Sequence, residues 1–343
     1  MQFTIVSTIF NEAKRLPQTI ADLEVQTIQP TEIIITDAGS TDGTWEMLHE
    51  WQKRSATPIV LLQENRCSVA RGRNLAIAAA KTELIVSTDF GCQFHPQWIE
   101  SITAPLFNFD TTLEVCGGAF EIIEADVQTL AAKSDYILQR GYPVVMNEFF
   151  SVSSRSIAYK KYVWKHIGGY PEWLTLAADD TIFWKLVKKH GFRYQLVDQP
   201  YVYWGRHKTN RAFAKEAFRY GLGDGESRIN YRNFWSTTIE TAIRYFFFTG
   251  FILLPVLITY GLLHPLFMVL LLPFTIGLRS YRHAWQGWQC VKSSKYNFPA
   301  FVNALWQLEL SRIQYIKGYL KGMRDKDVKK AEGRRKLWAV LKG

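Results

Sequence analysis

Along the first third of the chain, short β-branched apolar runs alternate with stretches whose apolar residues recur at helical spacing. Phe3–Thr8 predicts a strand, and Glu12–Thr27 a helix through Leu16, Ile20, Leu23 and Val25, stopped by Pro30. Glu32–Thr36 predicts the next strand. It ends in Asp37-Ala38-Gly39-Ser40-Thr41-Asp42-Gly43, which is turn chemistry followed by a helix N-cap, and Thr44–Lys53 is the helix. Strand Pro58–Leu62, the Ala-rich helix Val69–Ala80 and strand Leu84–Thr88, which stops at Asp89, continue the alternation. Such a series is the signature of a mostly parallel sheet flanked by helices, an α/β fold.

From about residue 113 to 203 the pattern is mixed. Glu114–Ile123 and Phe149–Tyr159 predict strands, Tyr162–Ile167 a short helix, Thr181–His190 a longer one, and Arg193–Val197 and Pro200–Tyr203 closing strands. Arg206–Tyr220 is a basic, aromatic helix. Then the chain carries no formal charge between Arg244 and Arg279. Tyr245–Leu263 is about as long as a bilayer span of ~20 residues, and Leu266–Leu278 is shorter, with His264-Pro265 as a turn between them. These segments predict a membrane helical hairpin, spanning or re-entrant, or a buried apolar hairpin. Arg244, Arg279 and Arg282 at its ends set both in the cytoplasm. Ala300–Leu320 has a broad apolar face suited to a membrane interface, and Lys326–Lys342 is dense in Lys and Arg, as a lipid-binding or simply solvated tail would be. The expected division is residues 1–205 for the α/β domain, 206–240 for basic interfacial helices, 241–282 for the hairpin and 283–343 for the tail.

Composition adds a formal net charge of +10, which suits an anionic partner. Because the basic residues flank the apolar segment, a lipid surface accounts for them better than nucleic acid does. Cys67, Cys92, Cys116 and Cys290 include no C-x-x-C pair, so neither a zinc knuckle nor a redox pair is expected. The start, Met1 to Ser7, reads as a first strand and not as a signal peptide.

Three acidic positions stand at ends of predicted elements where ligands of an open α/β sheet collect. Asp37 follows Ile33-Ile34-Ile35-Thr36, Asp89 follows Ile85-Val86-Ser87-Thr88, and Asp179-Asp180 opens a helix. Taken alone, each is better explained as a helix N-cap than as a functional group. Together they form a candidate site.

Thr8-Ile9-Phe10-Asn11-Glu12 and Asp37-Ala38-Gly39-Ser40-Thr41-Asp42-Gly43-Thr44 resemble the nucleotide-binding start of family 2 glycosyltransferases with the GT-A fold. Ala70-Arg71-Gly72-Arg73-Asn74 resembles that family's A-R-N segment, and Asp89-Phe90-Gly91 its metal-binding D-x-D. Gly168-Gly169-Tyr170 followed by Asp179-Asp180 is similar to its acceptor-side pattern, and Arg219-Tyr220 through Gly225 to a stretch near the membrane in membrane-bound members. The resemblance covers about residues 3 to 225. It implies an inverting sugar transfer from a UDP-, GDP- or dTDP-linked donor to a lipid-linked or polysaccharide acceptor, at the cytoplasmic face of the inner membrane.

By the same resemblance Phe10, Glu12, Asp37, Gly39, Ser40, Arg71, Asn74, Asp89 and Arg219 would bind the nucleotide sugar. Asp180, with Asp179 beside it, would be the general base. Asp89 would reach Mg²⁺ or Mn²⁺ on the diphosphate. Two departures bear on this. Gly91 stands where D-x-D has its second Asp, and Glu216 replaces the usual Gln before Arg219. His207 is a further candidate metal ligand, or else Arg71, Arg73, Arg206 or Arg219 carries the leaving-group charge without metal.

A nicotinamide enzyme would want G-x-G-x-x-G after the first strand, where the chain has Thr8-Ile9-Phe10-Asn11-Glu12, and Gly221-x-Gly223-x-Gly225 follows a helix instead. A P-loop is absent, and a nucleotidyltransferase would leave the apolar hairpin unexplained. The rival from another class is a non-catalytic membrane scaffold with the same fold, which the Gly91 departure motivates and the retained Asp89 and Asp180 oppose.

Overall fold

The structure is a computed structural model that describes residues 2–107, 112–141, 150–259 and 281–343. It divides into two compact units: Met1–Asp126, Val144–Arg206 and Lys326–Gly343 form the first, Val127–Pro143 and His207–Asp325 the second.

The first unit is built on one sheet. Strands β1 (Thr4–Ile9), β2 (Glu32–Asp37), β3 (Ile59–Gln63), β4 (Leu84–Ser87), β5 (Gln93–Phe94), β6 (Val115–Ile122), β7 (Ile157–Lys160) and β8 (Tyr194–Trp204) take the order β3-β2-β1-β4-β7-β6-β8-β5. The half formed by β3, β2, β1 and β4 is parallel, and β7 enters antiparallel to β4 and β6. In β2 the run Ile33-Ile34-Ile35 is buried throughout, because helices cover both faces. Ile33 and Ile35 face the core under α1 (Leu16–Glu24), α2 (Thr44–Arg54) and α4 (Trp98–Phe107). Ile34 faces the core under α3 (Val69–Ala79) and α7 (Asp179–Lys189).

The structure redraws several predicted boundaries. The first helix begins at Leu16, with a proline in its first turn, so Glu12 stays in the loop before it. Residues 150–156 lie outside any strand, although Phe149–Tyr159 reads as one. Ser156 N–H closes onto Ser153 O (3.1 Å), and Val152 fills the space that Gly117 leaves, where a Cβ would come within 2.4 Å of it. The two predicted closing strands are the single β8, which pairs parallel with β6 across a register shift. The basic C-terminal stretch is a helix of the first unit (Val328–Lys342).

The second unit is helical. Its elements are α5 (Leu130–Gly141), α8 (Asn210–Ser227), α9 (Tyr231–Thr259), α10 (Arg282–Val291) and α11 (Phe298–Met323); α6 (Lys161–Ile167) belongs to the first unit, and α12 is the C-terminal helix already bounded. Gly221-x-Gly223-x-Gly225 finds its reason here. A Cβ on Gly221 or Gly225 would stand 2.1 or 2.2 Å from the carbonyl oxygen of Tyr315 or Tyr319 on α11. One on Gly318 would stand 2.2 Å from Phe218 O on α8. The two helices therefore cross backbone against backbone, the geometry that small residues four apart permit.

The apolar hairpin fares differently. Among the described residues no helix is long and apolar enough to cross a membrane, so the spanning hairpin has no support in them. The turn His264-Pro265 and the second arm Leu266–Leu278 lie outside the described residues. Arg244, expected at a cytoplasmic boundary, is instead 2% exposed and ion-paired with Glu309 at 3.1 Å.

Gly318→Ala tests the helix crossing. Alanine raises intrinsic helix propensity by ~1 kcal/mol, yet overpacking typically costs ~1–3 kcal/mol. A net loss of stability is expected in guanidinium unfolding followed by far-ultraviolet circular dichroism, and a net gain would contradict the close crossing.

Candidate active site

Three of the parallel strands end side by side, Ile9 opposite Asp37 and Asp37 opposite Gln63, while β4 pairs its last residue, Ser87, with Val6. The sheet order reverses between β1 and β4, which places the ligand crevice at their carboxyl ends. Two loops meet there and are laced together. Asn11 N–H donates to Ser40 Oγ (2.9 Å), and Thr41 N–H to Asn11 Oδ1 (2.9 Å). Glu12 N–H donates to Thr44 Oγ1 (2.9 Å), and Ala13 N–H to Asp42 Oδ2 (3.1 Å). Thr44 Oγ1 donates in turn to Asp42 Oδ1 (2.6 Å). Asn11 is thereby held at φ 55°, a left-handed conformation asparagine tolerates. Phe10 is left 56% exposed at the mouth of the crevice. Ser40, Asp42 and Thr44 thus shape the loop that presents Phe10 and Glu12.

Asp37 is fully buried. Its Oδ1 accepts from Gly39 N (2.8 Å), Ser40 N (3.0 Å) and Gln63 Nε2 (3.1 Å). Its Oδ2 has no hydrogen-bond partner among the described residues. An orphaned buried acceptor costs ~1–3 kcal/mol, and a ligand N–H or hydroxyl would satisfy it. Gly39, at φ 89°, has no room for a side chain, since a Cβ would meet Asn65 Oδ1 at 2.6 Å.

On the other side of the crevice one arginine joins two carboxylates. Arg73 on α3 has a side chain only 2% exposed; Nη2 lies 2.9 Å from Asp89 Oδ1 and Nη1 2.7 Å from Asp179 Oδ2. Its guanidinium sits over the Tyr170 ring at 4.8 Å. Burial opposes the Arg73 charge, yet Asp179 and Asp89 hold its pKa above the ordinary value. Burial pushes the Asp179 carboxyl up, against Arg73, with Asp180 and Asp89 adding to the rise. Gly72 brings α3 close over the end of β1, because a Cβ there would stand 2.5 Å from Thr8 Cγ2. Arg155 Nε approaches Asp89 Oδ2 at 3.4 Å while its guanidinium stacks 3.9 Å over Trp204.

Asp179 and Asp180 open α7, just after Ala178 at φ 74°, a strained conformation for a residue with a Cβ. Asp179 is bound to Arg73. Asp180, half-buried beside it, accepts at Oδ1 from its neighbour Thr181 N (2.7 Å). The loop before them carries α12: Lys330 Nζ donates to Thr175 Oγ1 (2.7 Å), and Gly333 leaves room for the Trp173 ring.

Other expected binding residues stand differently. Asn74 has all four amide hydrogen-bonding positions filled within the protein. Its Oδ1 accepts from Trp164 Nε1 (2.8 Å) and Tyr170 N (2.9 Å), and its Nδ2 donates to Tyr170 O (2.9 Å) and Glu172 Oε1 (2.8 Å). It pins the Gly168-Gly169-Tyr170 turn. Arg71 lies at the surface between Glu64 (3.1 Å) and Glu172 (3.6 Å). His207 and Arg219 belong to the second unit, where His207 Nε2 lies 3.4 Å from Glu216 Oε1 and Arg219 is exposed. Sequence reasoning missed the bridging role of Arg73 and missed Arg155 entirely, since Ser153-Ser154-Arg155-Ser156 carries no motif.

For Mg²⁺ or Mn²⁺, the described residues hold no group of three or more His, Cys, Asp or Glu side chains suited to a metal. The donor chemistry nonetheless fits. Asp89 and Glu12 offer carboxylate oxygens, and such cations take their remaining ligands from phosphates and water. Gly91 leaves the space beside Glu12 open, where a Cβ would stand 2.7 Å from Glu12 Oε2. Burial pushes the Glu12 carboxyl up to about 7; Arg15 opposes the rise, and Asp42 and Asp89 add to it.

Residues 4–166 match the family model described as Glycosyl transferase family 2. This segment is a family 2 glycosyltransferase domain. The match ends before Asp179 and Asp180. The glycosyltransferase GlyG of Streptococcus pneumoniae is 30% identical over 123 residues, 36% of this chain and 40% of that protein. The O-antigen chain rhamnosyltransferase WbaN of Salmonella anatum is 24% identical over 233 residues, 64% of this chain and 70% of that protein. The chain thus spans well under half the length of GlyG. Among solved structures, the mannosyltransferase PcManGT of Pyrobaculum calidifontis, in complex with GDP-Man and Mn²⁺, shares the fold. Its TM-score is 0.53 at 17% identity, over 95% of this chain and 88% of that one.

The raised Glu12 pKa sets a pH dependence. Below about pH 4.5 the carboxyl is protonated in folded and unfolded chain alike. Between that value and about 7 the folded state holds the extra proton, so stability falls as pH rises. Glu12→Gln should therefore raise the melting temperature more at pH 8 than at pH 5 in chelator-containing buffer. Thermal scans at the two pH values check this, and an equal shift at both would contradict it.

Proposed function

We propose that the chain is an inverting glycosyltransferase that moves a sugar from a nucleoside-diphosphate donor to a hydroxyl of a lipid-linked or polysaccharide acceptor. The observation that carries this reading is the buried, unpartnered Oδ2 of Asp37 at the end of β2, beside a crevice whose far side bears Asp89, Asp179 and Asp180. A base N–H or ribose hydroxyl satisfies Asp37 Oδ2, and the exposed Phe10 ring packs on the base. Asp180 accepts the proton of the acceptor hydroxyl as its oxygen bonds to the anomeric carbon. The bond from that carbon to the diphosphate oxygen breaks, and the nucleoside diphosphate leaves with the electron pair. Asp179 acts through Arg73, fixing the start of α7 relative to Asp89. A divalent cation, held by Asp89, would neutralise charge on the diphosphate. PcManGT, solved with GDP-Man and Mn²⁺, supports the donor class, and WbaN, named an O-antigen chain rhamnosyltransferase, the acceptor class.

A cytoplasmic membrane surface is the proposed location. Its support is a run of exposed apolar side chains in the second unit: Trp285 on α10 and Phe298, Val302 and Trp306 on α11, with Lys292 and Lys295 between the helices. Large aromatics beside lysines suit a lipid headgroup layer.

A panel of UDP-, GDP- and dTDP-sugars tests the activity. Asp180→Asn should lower turnover by at least ~100-fold, the usual span for a general base, with nucleotide affinity retained. Asp37→Ala should weaken nucleotide binding instead. No binding of any nucleotide, or full turnover by Asp180→Asn, would overturn the reading. In vesicle flotation, Trp285→Ala/Trp306→Ala should lose binding to anionic vesicles; unchanged flotation would remove the membrane surface from the proposal.

A further inference from the structure

Gly91 occupies the place where D-x-D has its second carboxylate, and its surroundings are specific. Its N–H donates to Thr19 Oγ1 (3.2 Å), and its carbonyl accepts from Arg15 Nη1 (3.5 Å), both side chains at or near α1. The backbone is held at φ 98°, where glycine is favoured. The same α1 begins just after Glu12, whose carbonyl accepts from Arg15 N and Leu16 N, both at 2.9 Å. The contacts that fix Gly91 therefore also fix Glu12, and they bring its carboxylate into the volume a side chain at 91 would take. A Cβ built on Gly91 meets Glu12 Oε2 at 2.7 Å and Cδ at 3.1 Å. The remaining carboxylate, Asp89, has one partner on each oxygen, Arg73 and Arg155. A carboxylate oxygen has a second lone pair, so each can still take a cation.

We propose that Glu12 supplies the second protein carboxylate to a divalent cation bound with the nucleoside diphosphate, standing in from the loop after β1 for the acid that Gly91 lacks. The inference rests on the nucleotide-sugar reading and assigns Glu12 to the cation instead of the base or ribose. The oxygen donors suit a hard cation that keeps waters and binds phosphate oxygens. It also gives Gly91 a reason: any side chain there would displace the Glu12 carboxylate.

The test is calorimetric titration of MnCl₂ into full-length protein saturated with UDP or with GDP, paired with loss of the free Mn²⁺ electron paramagnetic resonance signal. Nucleotide affinity is measured separately in chelator. Glu12→Gln should weaken Mn²⁺ binding at least ~10-fold, the lower end for loss of a metal-site partner, while chelator-measured nucleotide affinity stays within about twofold and near-ultraviolet circular dichroism is retained. Glu12→Gly/Gly91→Asp, which moves the carboxylate to position 91, should recover Mn²⁺ binding relative to Glu12→Gln. Unchanged Mn²⁺ affinity in Glu12→Gln overturns the inference alone, as does nucleotide binding by the unaltered protein without any Mn²⁺ uptake. Failure of every nucleotide to bind overturns the donor reading beneath it.

Discussion

A buried guanidinium shared by two carboxylates is the constraint on which the catalytic unit turns. Arg73 leaves water almost completely, a cost of several kcal/mol that only close pairing repays. It meets Asp89 at the end of a central strand and Asp179 at the start of α7, so the two edges of the crevice are fixed to each other through one side chain. Removal of either carboxylate would leave the buried guanidinium with one ion-pair partner in place of two. Gly72 and Gly169 make the arrangement sterically available, one by letting α3 approach β1, the other by letting the turn before Tyr170 close on Asn74.

Around that bridge the loops divide the labour. Side chains that look like ligands in sequence often hold backbone instead. Asp42 and Thr44 lace the β1 loop to the β2 loop, and Asn74 spends its whole amide on the Tyr170 turn. What remains open is a small set: the second oxygen of Asp37, the ring of Phe10, the carboxylates of Glu12 and Asp180. A site of this kind is preorganised, with polar groups aimed before a ligand arrives.

The parallel half of the sheet was legible from sequence because both periodicities were clean: Ile33-Ile34-Ile35 has no polar face to mislead, and Asp37, Asp89 and Asp179 sit where strands and helices change over. The central segment was less legible. Phe149–Tyr159 has the composition of a strand, but Ser153-Ser154-Arg155-Ser156 satisfies its own backbone in a turn. Arg155 reaches Asp89 across the sheet, and no local pattern announces such a contact. Arg244 shows the same limit from the other side: beside an apolar run it reads as a membrane flank, whereas tertiary structure gives it Glu309. The basic C-terminal stretch reads as a tail because its partner, the Trp173 loop, is remote in sequence.

The matched family segment closes at residue 166, while the acid that completes the Arg73 bridge stands at 179. Each half of the unit therefore carries one member of an interlock whose other member lies in the other half. A chimaera that joined residues 4–166 to a foreign continuation would need an acidic residue at that one address. Exchange of either part is to that extent keyed by a single buried arginine.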